Sequence, residues 1–201
     1  MTDLGYIKSR LAGHSPALLE TPADPAERAA VALILAGPPA DLSICFIHRA
    51  TVDGDRWSGQ MALPGGRGDL EDTASVDIAI RETAEEVGVA LSSASCIGAL
   101  SHVRLGRRGL DARGILSPFV FALEGPPPPL HPNHEVNAAY WIGLSYLWDP
   151  AHCTTLTLLV EGEPMIFPGI RLKDEIIWGL TYRVLCQFAD VVGRPLPGGV
   201  Y

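Results

Sequence analysis

Three glutamates, Glu82, Glu85 and Glu86, crowd into five consecutive positions of this 201-residue chain, with Arg81 the one adjacent cation. A helix over 73–87, turning 100° per residue, brings Val76, Ile80, Thr83 and Val87 within about 60° as a buried stripe. The same turn gathers the three carboxylates in a separate sector of about 100°. Like charges at i,i+4 cost a few tenths of a kcal/mol, and no lysine is interspersed to relieve them. A divalent hard cation relieves the repulsion. Mg²⁺ or Mn²⁺ takes carboxylate oxygens and keeps waters that substrate phosphates can replace. The competing reading is a solvated acidic face. The approach to the helix favours the site, because Gly65, Gly66 and Gly68 let backbone come close to a ligand and turn successive N–H groups toward an anion.

The elements that must hold these residues follow from pattern. Ala29–Ala36 and Leu42–His48 read as two strands joined by a turn at Gly37–Asp41. Residues 51–72 read as loop, and 73–87 as a helix capped by Asp72 or Thr73 and stopped by Gly88. Ile97–Val103 and Ile115–Leu123 read as strands flanking an arginine-rich loop, 104–114. Val136–Ile142 is a further strand, and Leu156–Val160 with Pro164–Phe167 a hairpin around Glu161-Gly162-Glu163. Residues 3–12 predict a short helix, and Asp174–Val192 the longest one. Strands and helices mix without βαβ alternation, which favours an α+β domain, an α/β/α sandwich, over a doubly wound sheet. Residues 1–28 read as an N-terminal helix and linker packed on a single domain, 29–201.

The segment Arg81-Glu82-Thr83-Ala84-Glu85-Glu86-Val87-Gly88-Val89 resembles the core of the Nudix box, G-x5-E-x7-R-E-U-x-E-E-x-G-U with U apolar. Thr83 stands where an aliphatic residue is usual. Six residues beyond Gly66 comes Asp72 rather than Glu, and eight residues instead of seven separate it from Arg81. The stretched form, Leu63-Pro64-Gly65-Gly66-Arg67-Gly68-Asp69-Leu70-Glu71-Asp72, is similar to the Nudix hydrolases of the coenzyme A pyrophosphatase-like subgroup. Arg49-Ala50 and Arg56-Trp57-Ser58-Gly59 resemble that subgroup's upstream segment with altered spacing. Glu135-Val136 before Trp141, and Ile177–Thr181, resemble its downstream part. The resemblance implies a Nudix fold, with a mixed sheet packed between helices. It also implies metal-dependent hydrolysis of a nucleoside diphosphate linked to another moiety, first of all coenzyme A or its derivatives. ADP-ribose, dinucleoside polyphosphates and nucleoside triphosphates are the alternative substrates. A non-catalytic Nudix-fold nucleotide-binding module is the alternative from another class, which lost box carboxylates would mark. On the resemblance, Glu82, Glu85 and Glu86 are the metal ligands, and Glu82, Glu85, Arg81 and Glu135 the catalytic set. Arg49, Arg56, Arg67, Gly65 and Gly66 meet the substrate. Glu124 competes with Glu135 for the role of carboxylate supplied from outside the box.

Other features are weaker. Arg104, Arg107, Arg108 and Arg113 suit a phosphate clamp by residue type, but arginine outnumbers lysine 13 to 2 throughout the chain. His131-Pro132-Asn133-His134-Glu135 lacks a third strong ligand for zinc and reads as a loop entering a strand. No G-x-S-x-G elbow supports Ser58 or Ser101 as a nucleophile. Cys45, Cys96, Cys153 and Cys186 form no CxxC pair and read as small buried hydrophobes, and Trp141 and Trp178 as core. The net charge of −8 argues against nucleic acid as a partner. No apolar run approaches the ~20 residues of a membrane span, and no signal peptide is evident. A cytoplasmic enzyme with a small nucleotide substrate is the expectation, and a homodimer is left open.

Overall fold

The computed structural model describes residues 3–52, 58–107 and 110–198, without the side chains of 107–113. Its elements run in the order α1 (Leu4–Ala12), β1 (Arg28–Ala36), β2 (Ser43–Arg49), β3 (Met61–Ala62), β4 (Gly65–Arg67), α2 (Ser75–Val87), β5 (Cys96–Ala99), β6 (Val103–Arg107) and β7 (Leu110–Ala122). Then follow β8 (Val136–Gly143), β9 (Cys153–Val160), β10 (Glu163–Leu172), β11 (Glu175–Trp178) and α3 (Gly179–Val191), with four short 3₁₀ turns between elements.

Among the described residues, eight strands form one sheet in the order β3-β2-β1-β7-β5, with β4 also on β1, β6 on β7 and β8 on β2. β1 and β7 run parallel from Arg28 opposite Ile115 to Leu35 opposite Ala122, and the other pairs are antiparallel. The sheet is therefore mixed. β1 at its centre shows why two layers of helix must cover it. Ala30, Ala32 and Ile34 pack on one face with Ile78, Ala79 and Val87 of α2. Ala29, Leu33 and Leu35 pack on the other with Ile7 and Leu11 of α1 and Tyr182, Leu185 and Phe188 of α3. Side chains that alternate across a strand feed both cores at once. The result is an α+β sandwich, a mixed sheet between helices.

Several elements depart from the sequence reading, each for a local reason. Residues 175–178 are strand, after a turn at 173–174, rather than the start of a helix. Ile176 and Ile177 are β-branched, and they pair with Arg171 and Ile170 of β10 before the chain turns into α3 at Gly179. The arginine-rich stretch 104–114 is mostly a two-stranded extension, with Arg104 opposite Ile115 and Leu105 opposite Gly114. The loop 51–72 contributes β3 and β4. α2 begins later than expected, with Ala74 at the N-cap. Asp77, not Asp72 or Thr73, satisfies that end by accepting from Ala74 N–H at 2.8 Å and from the Thr73 hydroxyl at 2.6 Å. Gly88 closes the helix in the left-handed conformation. The buried side of α2 is Ile78, Ala79, Thr83, Glu86 and Val87, with Val76 and Ile80 only half-buried. Cys45 is buried, which pushes its thiol up to about 12, but Cys96 and Cys186 are half-buried and Cys153 is exposed. Trp141 and Trp178 are half-buried, and Trp141 donates through Nε1 to the Pro128 carbonyl.

Candidate active site

The site grows from the contact between β4 and the last turns of α2. Gly65 pairs with Val31 of β1 at φ +147°, and a Cβ there would collide with the backbone of Ala30 and Val31. At Gly66 a Cβ would be driven into the Glu82 carboxylate. These glycines are therefore required by close approach: backbone on one side and the acidic helix on the other. The Gly65 N–H donates to Glu86 Oε2 at 2.8 Å.

Glu86 is 1% exposed, which is unusual for a carboxylate. Burial is the main cause that pushes its carboxyl up to about 7, and Glu82 and Glu135 add to the shift. The Gly65 hydrogen bond and Arg49, whose Nη1 lies 3.7 Å from Oε1, offset only part of it. Glu82 is also raised by burial, with Glu85 and Glu135 adding and Arg81 opposing. Both glutamates line a cavity of about 520 Å³ together with Arg49, Gly65, Gly66, Arg67 and Glu135. Its opposite wall is aliphatic, formed by Leu105, Leu116, Leu180 and Val184.

Arg81 turns to the other flank of the helix. It donates to both oxygens of Asp72, at 3.3 Å from Nε and 2.9 Å from Nη2, and to the Arg67 carbonyl at 2.9 Å. It also reaches Glu82 Oε1 at 3.0 Å and Glu85 Oε2 at 3.4 Å. Burial alone would raise Asp72, but the Arg81 hydrogen bonds outweigh it and hold the carboxyl below its ordinary range. The two-bond contact of Arg81 thus falls on Asp72, and Glu82 and Glu85 receive one bond each. Arg81 fastens the glycine loop to the helix, which makes it a positioning residue. Asp72 is the partner that motif reading passed over, although it occupies the displaced acidic position of the stretched box.

Glu135 is carried in by a loop sewn to the end of α2. Asn133 N–H donates to the Glu86 carbonyl at 3.0 Å and His131 N–H to the Val87 carbonyl at 2.8 Å. Asn133 Oδ1 accepts from Glu135 N–H at 2.8 Å, and the Glu135 carbonyl accepts from Ala50 N–H. Glu124 lies exposed just past the end of β7, at the strand end remote from Leu116 and the cavity. Glu85 is 56% exposed along its side chain and stands outside the cavity lining. Arg67 donates to the Ala26 carbonyl at 3.0 Å while lining the cavity. Arg104 is exposed. Arg56, Arg108 and the side chains of Arg107 and Arg113 lie outside the described residues.

Among the described residues, no three His, Cys, Asp or Glu side chains converge as a ready-made metal cage. What the cavity offers is a carboxylate pair, Glu82 and Glu86. Both are raised by burial, with Glu135 adding to each. A hard cation that fills its remaining positions with water and phosphate fits such a pair.

Comparison with known proteins bears on the family. No protein-family model matches the chain. An uncharacterized protein of Schizosaccharomyces pombe is 38% identical over 154 residues, which are 67% of this chain and 46% of the relative, so the chain spans about half that relative's length. The uncharacterized Nudix hydrolase NudL of Escherichia fergusonii is 27% identical over 139 residues, 68% of each chain. NudL of Photorhabdus laumondii is 27% identical over 67% of this chain and 70% of its own. The crystal structure of a MutT/Nudix family protein from Enterococcus faecalis shares the fold at a TM-score of 0.57 and 18% identity, covering 94% of this chain and 69% of that one. Relatives named for the family, a neighbour with its fold and the filled R-E-x-x-E-E-x-G core point the same way: this chain has the Nudix fold and is similar to the Nudix hydrolases.

Proposed function

We propose that the chain is a metal-dependent pyrophosphohydrolase that cleaves a nucleoside diphosphate linked to a further moiety, most readily coenzyme A or a derivative. The carrying observation is the pair of half-buried Glu82 and buried Glu86 facing a cavity that also holds Arg49 and the Gly65-Gly66 backbone. Glu82 and Glu86 would hold Mg²⁺ or Mn²⁺, with Glu85 at the margin. When bound, the cation neutralises charge that develops on the diphosphate oxygens. Arg49 and Arg67 bring positive charge to the same phosphates. Gly65 and Gly66, lacking side chains, let Glu82 and Glu86 lie close against β4 at the cavity wall where the diphosphate would bind. Glu135 accepts a proton from the attacking water as its oxygen bonds to phosphorus. The anhydride P–O bond breaks, and its electron pair leaves on the departing phosphate.

The coenzyme A assignment is supported by the stretched glycine segment, 63–72, and by the aliphatic wall, against which a pantetheine arm can lie. The uncharged wall gives a sugar's hydroxyls few partners, whereas methylenes gain from leaving water. The test is a screen of coenzyme A, ADP-ribose and NADH, each with Mg²⁺ and with Mn²⁺. The expected products from coenzyme A are 3′,5′-ADP and 4′-phosphopantetheine. Robust cleavage of ADP-ribose without cleavage of coenzyme A would remove the substrate assignment. Full turnover by metal-stripped protein in excess EDTA would remove the metal.

A further inference from the structure

β9, β10 and β11 form a second, three-stranded sheet with β9 at its edge. The β9–β10 ladder runs from Cys153 opposite Ile170 to Val160 opposite Glu163 without a bulge. Pro164 and Pro168 of β10 stand opposite Leu159 and Thr155. Proline has no N–H to give, so these are the non-bonded pairs of the antiparallel ladder. It follows that Thr155 and Leu159, and by alternation Cys153 and Thr157, turn their own N–H and C=O groups outward. Sheet edges are ordinarily protected by lysine, proline, a bulge or a covering segment. The β9 sequence, Cys-Thr-Thr-Leu-Thr-Leu-Leu-Val, contains no charge, no proline and no glycine. Around it the surface is apolar: Leu159 is 76% exposed, Ile166 70% and Met165 46%.

We infer that this edge pairs with the same edge of a second copy of the chain, antiparallel across a two-fold axis at Thr157. This joins the two small sheets into one of six strands. The occupant is a second copy because β9 is complementary to itself in this register. Thr155 then faces the partner's Leu159 on the exposed face, and Leu156 faces the partner's Leu158 on the half-buried one. Charge is complementary as well. Arg171 reaches back along β10 to donate to Thr154 Oγ1 at 3.0 Å, and Thr154 comes to lie beside the partner's Val160. Val160 is paired with Glu163, whose side chain emerges on the same face as Thr154 and Arg171. Each copy therefore brings an acid at one end of its edge toward an arginine at the other end of its mate. Opposite charges in such positions fix register, and like charges oppose pairing.

Sedimentation of the full chain, from low micromolar to about 100 µM, decides the matter in the range where modest interfaces associate. The expected species has twice the chain mass of 21.5 kDa. Thr157→Lys, which sets two like charges face to face, and Thr157→Pro, which removes an outward N–H, are expected to run as monomers with unchanged catalytic rate. Glu163→Arg and Arg171→Glu should each weaken association at least tenfold, and the double exchange should restore it. Circular dichroism on each variant separates lost pairing from lost folding. A wild-type chain that stays monomeric throughout, or a dimer that persists in folded Thr157→Lys and Thr157→Pro, overturns the inference. Recovery failing in the double exchange overturns the register.

Discussion

The two flanks of α2 carry the same residue type under opposite conditions. On one flank Asp72 and Arg81 meet through two hydrogen bonds, and the carboxyl sits below its ordinary range. On the other, half-buried Glu82 and buried Glu86 lie near Glu135 with too little positive charge, and both sit above it. The first flank holds the glycine loop to the helix and adds to stability. The second lowers stability, and it is the one that faces the cavity. Electrostatic satisfaction thus separates scaffold from site within a single helix, where composition alone shows only a cluster of acids.

The sharpest way to break this contrast is Glu82→Gln or Glu86→Gln. Each is expected to lower kcat by about 10²–10⁴, or roughly 3–5 kcal/mol of transition-state stabilisation. The metal-free protein should melt at the same temperature or higher. In Glu86→Gln the new amide oxygen can still accept from Gly65 N–H, and the repulsion is gone. Unchanged rates in both variants would remove the pair from the catalytic machinery. Asp72→Asn should do the reverse. It removes the charge of the carboxylate that Arg81 meets through two hydrogen bonds and should lower stability by about 1–3 kcal/mol in denaturant melts, with substrate KM affected less than fold. A third test uses pH on metal-stripped protein. Glu86 is raised, so the folded state holds its proton longer than the unfolded one. Its contribution is favourable below the ordinary 4.5 and is lost as pH rises through about 7. The Tm advantage of Glu86→Gln over the parent should therefore open between pH 4.5 and 7 by a few degrees. Asp72 works in the opposite sense: its contribution is present above 3.8 and lost as pH falls below it. A Tm gap independent of pH would contradict the burial of an ionisable Glu86. The smallest effect is expected from Glu85→Gln, a rate change within about tenfold, since an exposed carboxylate is well screened. A loss as large as that of Glu86→Gln would move Glu85 into the metal shell.

Much of this is legible in the chain before its fold. The R-E-x-x-E-E-x-G core and the paired glycines carry a period and a spacing, so Glu82, Glu86, Gly65 and Gly66 can be singled out together. What α2 buries is less so, because helical periodicity ranks apolar residues and has no means of predicting that Glu86 goes under β4. The Asp72–Arg81 bond is hidden for a related reason, since it joins a loop to a helix across nine positions. The segment 175–178 reads as helix in sequence because its register is set by pairing with β10, which lies outside any local window. Glu135 can be proposed from sequence but not ranked above Glu124. Its place depends on backbone bonds from Asn133 and His131 to the end of α2, which no side-chain pattern encodes.

α3 behaves as a beam with its two ends in different service. Leu180, Thr181 and Val184 near its start line the cavity, and Thr181 donates to the Met61 carbonyl there. Its far end is clamped by α1: Arg10 Nε donates to the Val191 carbonyl at 2.8 Å, and the Tyr6 hydroxyl to the Val192 carbonyl at 3.1 Å. The helix is about 20 Å long at 1.5 Å per residue. A small tilt at the clamped end is therefore a lateral displacement of the aliphatic wall at the other, and the first helix sets the width of the space in which a substrate's non-nucleotide arm must lie.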